Sequence, residues 1–463
     1  ISVNGSRTGD IQFRGDSDWF RVSLTGGQNY VLDLRGSPTG NGTLTDPFVR
    51  MYNAAGTQVA FNDDGGIGFE SQLTVRVTTS GDYYFGARRY NDSGTGTYLM
   101  ELEGLSGNTR FQSPTFELNS FGADVGGWSS NNIYLRTVAD VNSDGLSDII
   151  GFGGSNVYVS LGSNGGFLDP VASLASFGTD PSAGSWLNND LYTRVMGDIN
   201  ADGRADIVGF GGTNVYIALA NGSGGGTGFA DPFADLASFG PDSGGWTSNN
   251  VLPRTLGDVN GDGRSDIIGF GGAGTFVSLA RTSGGPGFDT PIFASGSFGN
   301  DPSAGGWTNF NTYPRTVADV NGDGRADLIG FGGDATFVAL AVGDGTFGNP
   351  FVALSSFGAS AAGGGWASND LYPRLVRDIN LDGRADIVGF GDGFVFTALG
   401  QNDGTFADPI QDLASFGPSA GGWSSNDLYL RLLGDVTGDF RPEIIGFGGN
   451  GVYVSRDFDF VTV

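Results

Sequence analysis

Residues 140–148 read Asp-Val-Asn-Ser-Asp-Gly-Leu-Ser-Asp, and much of the chain is organised around copies of this nonapeptide. It recurs from Asp198, Asp258, Asp319 and Asp378, and in altered form from Asp435, at intervals of 58, 60, 61, 59 and 57 residues. Oxygen side chains at positions one, three, five and nine, with a backbone carbonyl at seven, form the donor set of a calcium loop. Glycine at position six permits the tight turn that folds the loop onto an ion. The candidate ligands are Asp140, Asn142, Asp144, Leu146 and Asp148; Asp198, Asn200, Asp202, Arg204 and Asp206; and Asp258, Asn260, Asp262, Arg264 and Asp266. Asp319, Asn321, Asp323, Arg325 and Asp327 follow, then Asp378, Asn380, Asp382, Arg384 and Asp386. The leucine and the arginines would offer only their carbonyls, leaving the guanidinium groups to reach solvent or a neighbouring unit. The expectation is about five structural Ca2+ ions. The copy from Asp435 has Thr437, Phe440 and Glu443 where the others have asparagine, glycine and aspartate. Phenylalanine resists a positive φ, so this loop is expected to take another path and to bind calcium weakly or not at all.

The period of about 59 residues extends well beyond the loops. Each unit supplies an Arg-x-x-x-Asp strand, the loop, an apolar Ile/Leu-Ile/Val-Gly-Phe-Gly strand, a third strand such as residues 157–161 and a fourth near Ser-Phe-Gly. Four short strands per unit, with no helical stripe, predict the blades of a β-propeller. The last unit stops soon after Ser455, while Phe111, Pro114 and Phe121 repeat the outer-strand pattern before the first loop. An N-terminal outer strand is therefore expected to complete the last blade and close a ring of six, with an open solenoid as the competing arrangement. Residues 1–104 lack the repeat and alternate short apolar strands with Gly/Asn turns, which predicts a β-sandwich. The expected organisation is all-β: a sandwich over 1–104, a short linker over 105–110 and a six-bladed β-propeller over 111–463.

Composition narrows the function. The net charge of -27 argues against nucleic acid as a partner. No apolar run is long enough to span a bilayer as a helix, so membrane insertion is not expected. With neither histidine nor cysteine, and every basic residue an arginine, many usual catalytic nucleophiles and bases are missing. The reading favours a non-enzyme, although paired aspartates could still serve a polysaccharide hydrolase, or arginine with tyrosine a lyase. Calcium is plentiful outside cells, which points to an extracellular or cell-surface location. No feature of the sequence reads on self-association.

A second constellation shares the period. Trp128, Trp186, Trp246, Trp307, Trp366 and Trp423 each stand twelve residues before a loop, and eight before Arg136, Arg194, Arg254, Arg315, Arg374 and Arg431. Between them lie Asn131-Asn132, Asn189-Asp190, Asn249-Asn250, Phe310-Asn311, Asn369-Asp370 and Asn426-Asp427. One reading is structural: tryptophan packed between blades, arginine on carboxylates or carbonyls, and Asx residues in turns. The other is carbohydrate binding, with indole faces stacking on sugars while Asx side chains read hydroxyls. The functional expectation is a lectin-like or adhesin protein whose partners are glycans; a non-catalytic structural surface protein is a further alternative.

The nonapeptides, with Gly-Phe-Gly segments such as 151–153 and 209–211, resemble the FG-GAP or VCBS repeat family over about residues 109–463. That resemblance implies a calcium-bearing propeller of the kind found in integrin heads and propeller lectins. Residues 15–20, 46–48, 62–64 and 80–84 look like a bacterial pre-peptidase C-terminal domain. This second resemblance implies a bacterial source, an accessory sandwich, and calcium ligation by Asp16, Asp18, Asp63 or Asp64.

Overall fold

The computed structural model describes residues 1–66, 69–92, 94–105, 110–163, 166–221, 226–458 and 461–463. It separates into two compact units, Ile1–Gln112 with Phe458–Val463, and Ser113–Asp457. Most of the expected linker, residues 106–109, lies outside the described residues.

The first unit contains β1 (Gly5–Ile11), β2 (Asp18–Leu24), β3 (Gln28–Arg35), β4 (Pro47–Tyr52), β5 (Gln58–Asn62), β6 (Ser71–Val77), β7 (Gly81–Arg89) and β8 (Gly96–Leu105). One sheet has the order β1-β8-β3-β6, and the other β2-β7-β4-β5. Alternation explains which sides are buried: along β2, Val22 and Leu24 point inward while Arg21 and Ser23 face solvent. Val49, Met51, Phe85, Leu32, Leu34, Val75 and Met100 from both sheets share one apolar core. The chain end returns to this unit, with Val461–Thr462 pairing parallel to β6 through Val461 and Val75.

In the second unit, β9 (Thr115–Leu118) precedes the first repeat, whose inner strands are β10 (Arg136–Ala139), β11 (Asp148–Phe152) and β12 (Val157–Ser160). The outer strand is Val171–Leu174. β11 is buried along its whole length, which accounts for its uninterrupted apolar run after Asp148. Sheets of the same four-strand order begin at Arg194, Arg254, Arg315, Arg374 and Arg431. In the sheet beginning at Arg431 the outer position is held by β9, through Thr115–Val454 and Leu118–Val452 pairs.

These observations correct the expected closed six-bladed propeller. Among the described residues no sheet closes on itself, and no strand ladder joins one four-stranded sheet to the next. Among the described residues, the strand ladder of each sheet ends at its inner and its outer strand. The reason lies in side-chain packing: Val138 packs with Ile149 and Ile445, and Met196 with Ile150 and Ile207, so neighbouring sheets meet through apolar side chains. One series of backbone links between units runs through turns. Asn131, Asn189, Asn249, Phe310, Asn369 and Asn426 donate backbone N–H groups to the carbonyls of Asp427, Asn132, Asp190, Asn250, Asn311 and Asp370 at 2.5–2.6 Å.

A second series of links joins the nonapeptides. Ala205, Ser265, Ala326 and Ala385 donate to the carbonyls of Asp140, Asp198, Asp258 and Asp319, and Ser147 donates to Asp435. The corresponding residue of the last loop is Pro442, which has no N–H to give to Asp378.

Candidate functional site

The tryptophan and Asx residues, adjacent in sequence, part company in the fold. The paired Asx positions, with Phe310, line a single cavity of about 370 Å³. The second member of each pair faces the following unit. Asn132, Asp190, Asn311, Asp370 and Asp427 each accept, through a side-chain oxygen, the backbone N–H of Asp190, Asn250, Asp370, Asp427 and Asn132, at 2.7–2.8 Å. Asn250 makes the same contact to Asn311 at 3.2 Å. The first member turns inward: Asn131, Asn189, Asn249, Asn369 and Asn426 accept the backbone N–H of the arginine five residues on.

The six arginines are nearly fully buried and, among the described residues, form no salt bridge with a carboxylate. Their NH1 groups donate to the carbonyls of Phe121, Phe177, Phe239, Phe298, Phe357 and Phe416 at 2.9–3.0 Å. Each guanidinium also lies 5.2–5.7 Å over the Gly-Phe-Gly phenylalanine of the preceding unit, so it holds two units together. Burial lowers the guanidinium pKa, to about 9 for Arg315 and Arg374 and about 10 for Arg136 and Arg254.

The six phenylalanines are a feature missed in the sequence. All adopt left-handed backbone, φ 54–61°, although a bulky side chain disfavours it. The conformation places each ring 4.9–5.2 Å from the following tryptophan. Both rings sit against the middle glycine of the apolar strand; a Cβ at Gly269 would stand 2.5 Å from the Trp246 indole and 2.7 Å from Phe239. The repeated Ser-Phe-Gly and Gly-Phe-Gly motifs were the available signal, but neither reveals a positive φ.

The tryptophans floor a repeated cleft. Around Trp186, Trp307 and Trp366 the cavities measure about 390, 420 and 460 Å³, within the range of small-molecule sites. Each is walled by the left-handed phenylalanine, a tyrosine six residues beyond the tryptophan, an aromatic side chain of the third strand and a proline; at Trp307 these are Phe298, Tyr313, Phe337 and Pro350. The indoles are only 6–9% exposed, so their faces are covered by protein and open stacking on a sugar is unavailable. Their edges remain. Among the described residues, no indole N–H has a protein acceptor, and none is sealed from solvent. A buried indole normally finds an acceptor, so each cleft presents an unused donor.

The nonapeptides form compact Asx turns. In the first, Asp140 accepts N–H groups from Asn142, Ser143 and Gly145, while Asn142 accepts from Asp144 and Asp144 from Leu146. Asp148 accepts from Val141 at 2.9 Å and Gly162 at 2.8 Å, fixing it between two strands. Asp148, Asp206, Asp266, Asp327 and Asp386 are fully buried, and burial, opposed by these N–H bonds, raises each pKa to about 7. Arg204, Arg325 and Arg384 bond to Asp202, Asp323 and Asp382 of their own loops, instead of reaching away from them.

The expected metal positions change accordingly. Among the described residues, two groups of three carboxylates offer oxygens within 4.8 Å of one another: Asp46, Asp63 and Asp64, and Asp435, Asp439 and Glu443. Five such clusters in the intact loops are not found, because those carboxylates bond local N–H groups and, in three loops, an arginine. The altered loop follows the same path, contrary to expectation. Phe440 takes φ 70° in the place of Gly145 at 86°, and Asp435 accepts from Thr437, Gly438 and Phe440. Glu443 carries one more methylene than aspartate; it accepts from Val436 and Thr437 while its carboxylate joins the cluster.

In the first unit, burial raises the pKa of Asp46 and Asp63, and an Asp63 oxygen is buried without a hydrogen-bond partner. That donor set suits a hard cation. Asp16 instead caps Gln12 and Ser17, and Asp18 accepts the Tyr98 hydroxyl.

A lectin of Agrocybe aegerita, described as specifically recognising non-reducing terminal N-acetylglucosamine, is 37% identical over 76% of this chain and 83% of its own, with a TM-score of 0.59. The chain belongs to the family of that lectin. Other similarities to solved structures are weaker. The pre-peptidase C-terminal domain of a Bacillus anthracis collagenase is 19% identical, covering 22% of this chain and 91% of its own, with a TM-score of 0.18. The Photorhabdus luminescens Tc holotoxin pore is 16% identical, covering 89% of this chain but 16% of its own, with a TM-score of 0.47. No protein-family model and no curated protein matches the chain. Among the described residues, no helix is long and apolar enough to cross a membrane.

Proposed function

We propose that the chain is an extracellular or cell-surface carbohydrate-binding protein, a lectin or adhesin module stabilised by divalent cations. Its tryptophan-floored clefts would take terminal sugars, with N-acetylglucosamine the first candidate from the related lectin. The observation that carries the reading is the repeated cleft with an open indole N–H, which provides a polar donor inside an aromatic wall. The sugar would meet the indole edge and the flanking aromatic rings, rather than a bare indole face. Several weak, equivalent clefts would gain avidity on a glycan-coated surface. The Asx pairs are assigned to the links between units, since their side-chain oxygens already accept backbone N–H groups.

Calcium is proposed at the acidic cluster of each unit, and the FG-GAP or VCBS resemblance extends it to the five intact nonapeptides. A cation would supply the positive charge that their clustered and buried carboxylates lack. The decisive experiment is a glycan array with calcium or chelator, followed by titration of N-acetylglucosamine glycosides into Trp→Phe variants at the six cleft positions. Phenylalanine preserves an aromatic wall but removes the N–H donor. Retention of full affinity in a folded variant lacking all six donors would exclude the cleft as the binding site. Shortened or unsaturated glycan products would instead establish an enzyme.

A further inference from the structure

We infer that each cleft has a rim carboxylate that accepts hydrogen bonds from the hydroxyl groups of a terminal sugar and disfavours acidic sugars. This inference rests on the carbohydrate-binding reading. The carboxylates are Asp124, Asp180, Asp242, Asp301, Asp334 and Asp392.

Where one unit meets the next, the loop after Ser-Phe-Gly donates a backbone N–H to the turn following Gly-Phe-Gly. Asp124, Asp180, Asp242 and Asp301 donate to Gly449, Gly154, Gly212 and Gly272 at 2.9–3.0 Å. Their carboxylate oxygens lie 2.5–3.4 Å from the positions that Cβ atoms would occupy on those glycines. At the two remaining junctions the loop residue is serine: Ser360 donates to Gly333 and Ser419 to Asp392. There the acidic residue has moved to the other side, as Asp334 and Asp392, beside those serine hydroxyls. Gly212, Gly333 and Asp392 themselves line the clefts of Trp186, Trp307 and Trp366. Asp392 thus lines one cleft itself, and Asp242 and Asp334 stand against or beside glycines that line the other two, so two different chain segments supply the carboxylate at these three clefts.

The turn does not require the charge, because serine makes the same backbone bond as aspartate. A hydroxyl partner does not require it either. Ser155, Ser360 and Ser419 bond Asp180, Asp334 and Asp392, whereas Asp124, Asp242 and Asp301 show no such contact among the described residues. None of the six joins an ion pair among the described residues, and all but the half-buried Asp180 are exposed. What they share is the junction between successive units, which at Gly212, Gly333 and Asp392 forms part of a cleft wall.

An ionised carboxylate is an acceptor with two oxygens, matched to adjacent sugar hydroxyls, while the indole N–H supplies the opposite polarity. The same charge repels a sialic-acid or uronic-acid carboxylate. Methyl N-acetyl-β-glucosaminide and a sialic-acid-terminated oligosaccharide would be titrated calorimetrically into the full chain and into a variant combining Asp→Asn at all six positions. The expected result is selective glycoside binding by the native chain. The variant should bind the glycoside roughly tenfold more weakly and discriminate less against the acidic sugar. A combined Asp124→Asn, Asp242→Asn, Asp301→Asn variant, which disturbs no serine contact, should retain half of the tight sites. Unchanged affinity and site number in folded variants would overturn the rim assignment while leaving the lectin reading intact. Absence of glycoside binding by the native chain would overturn both.

Discussion

Raising the pH of the calcium-free chain from 4 to 8 should lower its stability, and calcium should reverse that trend. Asp148, Asp206, Asp266, Asp327 and Asp386 have pKa values raised from 3.8 to about 7, chiefly by burial. Between those limits the folded chain binds more protons than the unfolded chain, so stability is fully present below about pH 4 and is lost through about pH 7. The shift, 7 minus 3.8, corresponds to about 4 kcal/mol for one carboxylate. Five independent losses of that size would exceed the roughly 5–15 kcal/mol that holds a typical domain together. Neutral pH therefore calls for compensation, and a divalent cation would provide it by favouring the ionised form. Urea unfolding followed by tryptophan fluorescence would report mainly on the second unit, which contains six of the seven tryptophans. The expected midpoint falls with pH in chelator and is restored by calcium. A midpoint independent of pH in chelator would refute the burial argument, and indifference to calcium would refute the cation assignment.

Other substitutions separate packing from recognition. Trp307→Ala should cost about 3–5 kcal/mol through cavity formation, measured by chemical unfolding, whereas Trp307→Phe should cost less and still weaken sugar binding at that cleft. Gly269→Ala places a methyl group against Trp246 and Phe239, and an overpacking loss of about 1–3 kcal/mol is expected in the same assay. Glu443→Gln removes one carboxylate from the Asp435 cluster and should reduce calcium stoichiometry by one in a calorimetric titration; unchanged stoichiometry would exclude that cluster.

The period, the four-strand units and the apolar central strands were legible because local alternation and repetition are written directly into neighbouring residues. The nonapeptide at Asp140 announces a polar turn, but its spacing leaves open whether its oxygens face an ion or local N–H groups. The Phe440 substitution was misleading for a related reason: a lone αL phenylalanine is unfavourable, yet contacts across the loop hold that backbone. Trp186 and Asn189 are close in sequence, but the turn between them sends one to a cleft and the other to a link between units.

Sequence alone determined an all-β, acidic, repeating chain with a separate N-terminal region, since strand periodicity and turn chemistry act over a few residues. Tertiary structure decided that the sheets remain open, that the chain end returns to β6, and that aspartate at four junctions and serine at two make the same backbone link between units. Those outcomes depend on contacts between residues far apart along the chain, whose packing and desolvation no local motif encodes.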